Sequence, residues 1–477
     1  MEKLNNYLQL LSKLARCNDI YLVGGLIRDL LLKIRGEVLD CDVVIKGNVR
    51  QISKEFSNRL SATWFVLDEV NQIYRVVIKD SNLRFDFAPL RGNDIREDLK
   101  SRDYTINALA VKIKDKLTLE EKDIIDPLGG LEDLNRRIIK AICEENLIAD
   151  PVRILRGVSL SSELNFDIEE HTLGLLSRHA GLLVEVPGER IGEELFKILK
   201  HPHSGKYFGL LNKLKILDVI FPSWENLRTP PPGPYHHLPI DEHSLETLRC
   251  LEKAWPEIKE HEELLAYIEE NVREGRRRYD VLKLGCLLHD IGKPPAYHVE
   301  DGKLKFTGHE KIGAEITKRI CQRLKFSNRE TDMLYKYVYY HLRPGFLVDC
   351  IQISRRAVFR YFRDTAEEAV AILLLSLADK EATRGELADE QDIVRHRMVI
   401  WELIRNYFSK KEEVKPPRLV TGWDVMKVLN IPPGPVVGRI LREVEEAQAE
   451  GKITTREEAL NYIKIIYNQI RNADVEK

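Results

Sequence analysis

The runs in this chain that can form β-strands are confined to its first 140 residues. From about Asp150 the pattern becomes helical and stays so. Strand candidates are 20–23, 39–45, 64–67, 73–78 and 83–87, with amphipathic segments between some of them. That order predicts an α+β fold, with a small mixed sheet and helices at the N-terminus and helical layers after it. Two breaks interrupt the helical part. Residues 222–239 carry the run TPPPGP, whose prolines and glycine forbid a helix and predict a stiff linker. The stretch SKKEEVKPP, from Ser409, reads as a second connection. The last helix has a capping-box start, Thr455 with Glu458 three residues on. At 477 residues, the chain has room for about three domains.

Composition excludes some classes of function. Hydrophobic residues are 43% and charged residues 31%, which argues against wholesale disorder. Lys and Arg number 74 against 76 Asp and Glu, a formal net charge of −2. A nucleic-acid partner therefore cannot be read from overall charge, and any basic surface must be local. The longest apolar run, 369–378, is roughly half the length of a membrane span, so no membrane partner is expected. The first ten residues lack a basic-then-apolar leader. The seven cysteines are scattered and form no CxxC, which disfavours a disulfide framework or a cysteine zinc site. A cytoplasmic location is the expectation.

The segment IYLVGGLIRDLLL reads as strand, turn at Gly24-Gly25, then helix. Such a pair lets the backbone pass close to a bulky ligand, and the N–H groups of a helix start favour phosphate. Arg28, in the first turn, adds a cation. The ordinary alternative is a tight strand-to-helix turn. The next strand, LDCDVVI, places Asp40 and Asp42 on one face. Two ionised carboxylates so close repel each other unless a cation lies between them, and such pairs hold Mg²⁺ for phosphoryl chemistry. A solvated acidic edge strand is the plain alternative. Asp86, in LRFDFAPLR, lies on a later strand that can run alongside.

LVGGLIRD, DCDVV, FDFAPLRG, DLKSRDYTINALAV, DPLGGLEDL and DPVRILRG occur in this order within about the first 220 residues. Together they resemble the bacterial class II tRNA nucleotidyltransferases (CCA-adding enzymes) and poly(A) polymerases, of the polymerase β superfamily. The resemblance implies that Gly24, Gly25 and Arg28 hold the triphosphate of the incoming nucleotide. It implies that Asp40 and Asp42 bind two catalytic Mg²⁺ ions, with Asp86 a third carboxylate. Arg102 and Asp103 would contact ribose and phosphates, with Asn107 supporting them. Asp150 and Arg153 would select the base. Three positions depart from the family pattern: Ser101 stands for a first arginine, Ala149 for an acidic residue, and Lys33 for a glycine.

The base-selecting assignment has its own chemistry. Asp150 and Arg153 are three residues apart at a helix start and share a face. Cytosine and adenine each present an amino donor beside a ring-nitrogen acceptor, which a carboxylate and a guanidinium complement. Uracil and guanine present the reverse order. The ordinary alternative is that Asp150 is an N-cap before Pro151.

A second constellation follows the proline run. His243, the pair His289-Asp290 in LLHDIGKP, His309, His341 and Asp379 are spread over mostly apolar segments. Burying an imidazole beside a carboxylate costs several kcal/mol unless something pairs with them, and a divalent metal is the economical partner. His243, His289, Asp290 and Asp379 resemble the HD metal-dependent phosphohydrolases, with His309 and His341 where some members add ligands for a second metal. The resemblance implies Ni²⁺, Mn²⁺, Co²⁺ or Fe²⁺. REGRRRYD, from Arg273, reads as a solvated loop, with RNA phosphates as the alternative.

The resemblance implies a nucleotidyltransferase head over 1–140, a helical neck over 141–222, a linker and all-α HD domain over 223–408, and a helical tail over 409–477. The expected activity is addition of C and/or A from CTP and ATP to a tRNA 3′ end, with an attached phosphohydrolase acting on a phosphoester at an RNA end. One rival is poly(A) addition, or only the CC or only the A step. In the family the switch from C to A is associated with a flexible loop between the second and third motifs, and here 91–100 is brief. The other rival is a phosphohydrolase whose N-terminal domain only holds RNA.

Overall fold

The computed structural model describes the chain except residues 1, 16–18, 35–38, 80, 115–119, 232–237, 351–352, 385–388, 410–416 and 476–477. Two compact units emerge, Met1–Ile198 with Leu210–Ile220, and Leu199–Gly209 with Phe221–Lys477. The α+β expectation holds: the first unit carries a seven-stranded sheet and the second unit is mainly helical. Strands are not confined to the first 140 residues, however, since Ile138–Ile139 pairs with Asp167–Ile168. The second unit also has two short hairpins, Asn271–Arg273 with Arg276–Arg277 and His298–Glu300 with Lys303–Lys305. Among the described residues no helix is long and apolar enough to cross a membrane.

The sheet strands are β1 (Asp19–Val23), β2 (Leu39–Lys46), β3 (Thr63–Asp68), β4 (Ile73–Val77), β5 (Leu83–Pro89), β6 (Ala110–Lys112) and β7 (Ile124–Ile125). Their order is β3-β4-β5-β2-β1-β6-β7. β2 runs parallel to β5, and the other neighbours are antiparallel. Helices α1 (Glu2–Ala15) and α3 (Val49–Arg59) cover one face. Leu4, Leu8 and Leu11 of α1 and Ile52 and Phe56 of α3 pack there against Cys41, Val43 and Ile45 of β2 and Phe85 and Phe87 of β5. Strand side chains alternate, so Asp40, Asp42 and Asp86 point to the opposite face. Helix α4 (Ile95–Lys100) covers part of that face, its Ile95 and Leu99 packing with Val44 and Val23. The apolar lid stops short of the carboxylates: Val44 is 3% exposed, while Asp42 is half-buried and Asp40 is open to solvent.

The DPLGGLEDL motif is a latch on the segment that follows α4. Asp126 accepts hydrogen bonds from the N–H groups of Gly130 (2.8 Å) and Leu131 (2.9 Å), starting α5 (Gly130–Arg136). Asp133 on α5 accepts from the Thr105 hydroxyl at 2.7 Å. The helices α6 (Glu144–Ala149), α7 (Val152–Leu164), α8 (Glu170–Arg178) and α9 (Gly188–Leu199) follow. The fully buried Tyr104 joins α7 to the sheet by donating its hydroxyl to the Arg153 carbonyl at 2.6 Å.

In the second unit, Trp224 and Leu227 are fully buried. The described part of the proline-rich stretch is thus packed, not a bare spacer; residues 232–237 of the expected linker lie outside the described residues. So does most of the SKKEEVKPP connection. The tail helices Gly422–Leu429, Pro435–Ala449 and Arg456–Val475 enclose a small core around Val425, Ile440 and Ile463. The capping box at Thr455 and Glu458 is present, with reciprocal bonds of 3.1 and 3.2 Å.

Two arginines of the REGRRRYD cluster depart from the solvated-loop reading, while Arg273 is exposed as that reading expects. Arg276 is buried and bonds Glu330 at 2.7 Å. Arg278 is 2% exposed, pairs with Glu368 and with Glu270, and lies over the Tyr267 ring at 4.3 Å. These guanidiniums are internal because each meets a carboxylate contributed from elsewhere in the bundle, which no local reading of the run reveals. Removing one partner leaves the other charge buried and uncompensated. Arg278→Ala is expected to cost about 3–5 kcal/mol of unfolding free energy, measured by denaturant titration.

Candidate functional site

Two constellations assemble, one in each unit. In the first, β1 ends at Val23 and the chain turns at Gly24 with φ +79°, where L side chains are strained. A Cβ at Gly24 would lie 3.1 Å from both the Arg102 guanidinium and Asp42 Oδ2. Glycine therefore lets the backbone lie against the carboxylate. Register aligns Asp42 with Val23 on one side and with Asp86 on the other, and Asp86 with Arg75 beyond it. Arg75 holds Asp86 by two bonds, of 2.7 and 2.6 Å. Burial, opposed by Arg102 and reinforced by Asp86 and Asp40, raises the Asp42 carboxyl to about 6. Three oxygen-donor carboxylates whose mutual repulsion lifts a pKa suit a hard divalent cation such as Mg²⁺. They do not close into a tight group: among the described residues, the His, Cys, Asp and Glu groups with ligand atoms within 4.8 Å of one another are both in the second unit. Arg75 draws Asp86 toward β4, and Arg102 is the main cation acting on Asp42.

Beside the turn runs a polar chain. Arg28, at the start of α2 (Gly25–Leu31), donates to Asn107 Oδ1 at 2.6 Å and to Asp29 at 2.8 Å. Asn107 donates to Asp103 at 3.1 Å, and Asp103 pairs with Arg156 at 3.4 Å. Arg102 is tethered to Asp98 by two bonds of 3.2 Å. The structure thus brings Gly24, Asp42 and Arg102 directly together and links Arg28, Asn107 and Asp103 in one network. Gly25 is next in the turn, its Cβ position 3.4 Å from the Arg28 guanidinium.

Asp150 does not act as the N-cap of α7. It follows α6 and precedes the Pro151 turn, and its carboxylate is taken by Arg190 of α9 through two bonds of 2.9 Å. Burial pushes this carboxyl up, but the Arg190 bonds hold it below the usual carboxylate range. Arg153 Nε lies 3.7 Å from Asp150, and its Nη1 donates to the carbonyls of Ser101 (3.0 Å) and Asn146 (3.3 Å). The pair expected from spacing alone is therefore adjacent in space and braced from outside.

In the second unit, helices Ile240–Lys253, Arg278–Leu288, His309–Arg323, Asn328–Tyr340 and Ala369–Ala382 converge their expected ligands. His289 and His341 sit just past helix ends, and His309 begins a helix. His243, His289 and Asp379 form one close group, and Asp290, His309 and His341 another. His243 Nε2 is 2.9 Å from Asp379, His289 Nε2 is 3.2 Å from Asp290, and His309 Nε2 is 3.4 Å from Asp290. Three of the imidazoles have Nδ1 on a backbone carbonyl three residues earlier: His289 on Cys286 (2.8 Å), His309 on Phe306 (2.8 Å) and His341 on Val338 (2.6 Å). Each such bond fixes the ring so that Nε2 faces inward with its lone pair, the form a metal needs. Burial lowers His341, and the nearby imidazoles add to this, taking it to about 3. Burial opposes charge on His289, yet Asp290 and Asp379 raise it above the usual histidine range. His289 Nε2 is fully buried and faces Asp290 at 3.2 Å and Asp379 at 3.5 Å without a well-angled hydrogen bond to either. These nitrogens and carboxylates fit a borderline divalent metal.

Residues 20–140 match the family model for the poly A polymerase head domain. Residues 165–227 match the probable RNA and SrmB-binding site of polymerase A, and 240–384 match the HD domain. The chain is 33% identical over 453 residues to the CC-adding tRNA nucleotidyltransferase of Thermus thermophilus, covering 93% of each. It belongs to the tRNA nucleotidyltransferase and poly(A) polymerase family. The A-adding tRNA nucleotidyltransferase of Deinococcus radiodurans is 30% identical over 450 residues, covering 93% of this chain and 94% of that protein. Among solved structures, a CCA-adding enzyme in complex with CTP is similar at TM-score 0.66 and 22% identity, over 98% of this chain and 96% of that one. The Thermotoga maritima CCA-adding enzyme complexed with tRNA matches at TM-score 0.63 and 21% identity, over 98% and 96%. These structures support the fold.

Sequence reasoning missed Arg75, Arg156, Arg190 and Lys293 in this family member. Arg156 had a signal, since it is one turn beyond Arg153 in DPVRILRG. Lys293, in LLHDIGKP, is 2.6 Å from Asp290. Arg75 and Arg190 had none, because their partners come from sheet register and from a distant helix. The glycine of that HD motif also has a task. A Cβ on Gly292 would overlap the His309 carbonyl oxygen and the Gly313 nitrogen, both backbone atoms that cannot swing aside. Gly292→Ala should displace His309 and weaken Mn²⁺ or Ni²⁺ binding by about 10-fold or more, read by calorimetric titration of a folded variant.

Proposed function

We propose that this protein extends tRNA 3′ ends, transferring a nucleoside monophosphate from CTP or ATP to the terminal hydroxyl with release of pyrophosphate. The observation that carries this reading is the register of β2 and β5, which sets Asp42 beside Asp86 and puts Asp40 on the same face, against the Gly24 turn. The similarity to CC-adding and A-adding enzymes over nearly the whole chain supports it. Asp40, Asp42 and Asp86 would hold two Mg²⁺ ions. Such ions lower the pKa of an attacking hydroxyl and stabilise a leaving pyrophosphate. Gly24, Gly25 and Arg28 receive the triphosphate, and Asn107 and Asp103 keep the Arg28 guanidinium aimed. Arg102 lies between the turn and Asp98, suited to a phosphate or ribose oxygen. The head corresponds to 1–140, the neck to 141–222, the HD domain with its linker to 223–408 and the tail to 409–477.

Addition of CC alone is the second reading that an observation favours. The short segment between the second and third motifs is pinned. Asp94 caps α4 by accepting from Arg96 and Glu97, the Arg91 N–H donates to Asp98 at 3.1 Å, and Lys46 donates to the Asn93 carbonyl at 3.0 Å. A segment so bonded has little freedom to re-form around a second base. The purified protein should be given tRNAs ending before CCA, before A and complete, with each NTP alone and together, and the products sized. Growth by two residues with CTP that stops before A supports the CC reading.

The HD bundle would carry a metal-dependent phosphohydrolase acting on a phosphoester at an RNA end. His243, His289, Asp290 and Asp379 would hold the metal, with His309 and His341 completing a second position. A transition metal there supplies a nucleophile from water at neutral pH. Against burial, His289 and then Lys293 hold the Asp290 carboxyl well below the usual carboxylate range. Each site has its own complete donor set. Asp40→Ala or Asp42→Ala should therefore abolish nucleotide addition and leave phosphodiester hydrolysis intact, while His289→Ala or Asp290→Ala should do the reverse. Near-normal addition by Asp42→Ala in Mg²⁺ sinks the transferase assignment, and equal loss of both activities in a folded variant sinks the division.

Asp150 and Arg153 would choose the base. The carboxylate takes an amino hydrogen while the guanidinium donates to the ring nitrogen, and uracil or guanine leaves both mispaired at a cost of about 1–3 kcal/mol. Asp150→Ala and Arg153→Ala should relax discrimination against UTP and GTP while residual addition persists, as measured by incorporation of all four NTPs. Parent selectivity in both variants places base reading elsewhere.

A further inference from the structure

We propose that the cleft beside the HD ligands is a nucleobase subsite, which holds the last base of an RNA end against aromatic rings while its phosphoester is hydrolysed. The proposal rests on the hydrolase reading given above. The cleft has a volume of about 740 Å³, within the range of small-molecule sites. Its walls include Phe306, His309, Lys311, Tyr340, Arg343 and Phe346. His309 belongs both to these walls and to the ligand group it forms with Asp290 and His341. Where the helix Asn328–Tyr340 ends, consecutive residues divide the work. Tyr340 lines the cleft, and the buried His341 joins the ligand group. A phosphoester held at that group has its sugar and base one nucleotide's length away or less, and this cleft is the space that adjoins it. The chemistry of the walls fits a base. Helix Arg343–Val348 buries Leu347 and Val348 and leaves Phe346 64% exposed, a flat apolar face that the bundle does not use. Arg343 lies over the Tyr340 ring at 5.5 Å and is fixed there by Asp364 at 2.7 Å. Asp364 also accepts from Arg363 at 2.9 Å, so this carboxylate is already matched by cations. Lys311, two positions after His309, is exposed. Rings that stack on bases, together with cations that meet the phosphates between them, hold single-stranded RNA whatever its sequence. In the hydrolysis served, a water oxygen bonds to phosphorus, the P–O bond to the ribose breaks, and the ribose oxygen takes the proton that water gives up. The subsite grips only the base, so its mark is on KM and on the preference for ends that carry a base.

The test uses the full chain loaded with Mn²⁺ and two RNA oligonucleotides, one ending in adenosine and the other in an abasic ribose. Each is made with a 3′-phosphate and with a 2′,3′-cyclic phosphate, and kcat and KM are taken on whichever end is hydrolysed. The parent should favour the adenosine end by about tenfold or more in kcat/KM. Phe346→Ala should erase most of that preference through KM, with melting temperature close to the parent. Phe346→Trp keeps a stacking face and should retain the preference. Equal hydrolysis of both ends by the parent overturns the subsite and leaves the hydrolase reading standing. So does a parent-like preference in Phe346→Ala. Hydrolysis of neither end by a protein that binds Mn²⁺ removes the hydrolase reading, and this proposal falls with it. A second readout needs no turnover. Irradiated with the Mn²⁺-loaded protein, an RNA ending in 5-iodouridine should crosslink within residues 339–346, mapped by mass spectrometry, and absence of a crosslink there overturns the subsite. If Phe346→Ala does not fold, Phe346→Leu carries the same comparison.

Discussion

The pleat of β2 is the constraint on which the transferase site depends. Cys41, Val43 and Ile45 are sealed under α1 and α3, and that burial leaves no freedom of register. A slip of one residue would drive Asp40 and Asp42 into that apolar layer and carry Cys41, Val43 and Ile45 out of it. The hydrophobic face therefore does the placing, and the carboxylates are carried to the other side. Parallel pairing with β5 then sets Asp86 beside Asp42, and antiparallel pairing with β4 brings Arg75 to Asp86. Arg75 is engaged with Asp86 and Arg102 is shared with Asp98, which leaves the three carboxylates with an excess of negative charge. Burial, with Asp86 and Asp40 adding to it and Arg102 opposing it, lifts Asp42 to about 6.

Around that face the polar side chains form connected sets. Arg28, Asn107, Asp103 and Arg156 are linked by successive contacts, and Arg156 reaches Glu194 of α9 at 3.5 Å. Glu194 is 3% exposed and also accepts from Ser159 and Lys197. Buried carboxylates need several donors, and this one has three. The same helix, α9, carries Arg190 four residues earlier, so one face of it braces both Arg156 and Asp150. The cation proposed to meet a triphosphate and the carboxylate proposed to read a base are thereby supported from a single rigid element.

Much of this was legible before any coordinates, for identifiable reasons. The strands were readable because β-branched and aromatic residues cluster in short runs, and the Asp-x-Asp pair was readable because strand periodicity is two. Gly24 was readable as a turn, although only its contact with Asp42 and Arg102 shows why a side chain is excluded there. What could not be read depends on distant pairing. Arg75 finds Asp86 through sheet register, and Arg190 finds Asp150 across 40 residues. The arginines of REGRRRYD looked like surface because a run of like charge usually is. Arg278 is buried since Glu368, 90 residues on, meets it. The N-cap alternative for Asp150 failed for the same reason: a distant guanidinium outcompetes local backbone donors for the carboxylate.

The two constellations differ in the chemistry they can support because their donors differ. The first offers only oxygen, on strands, at the edge of solvent. Hard cations that keep part of their water shell suit such a site, and nucleotide phosphates can supply the remaining ligands. The second offers four imidazoles and two carboxylates within a helical bundle, almost all buried. Imidazole nitrogen selects borderline transition metals, and the backbone carbonyls on His289, His309 and His341 hold the rings in the ligating tautomer. Those carbonyls belong to residues three before each histidine, two of which sit just past a helix end. The last turn of a helix has carbonyls without intrahelical partners, and an imidazole Nδ1–H placed there satisfies one while pointing Nε2 away from the helix. Ending the Arg278–Leu288 and Asn328–Tyr340 helices at a histidine thus does two things at once. It closes the helix, and it presents an inward-facing nitrogen whose geometry does not depend on a metal being bound first.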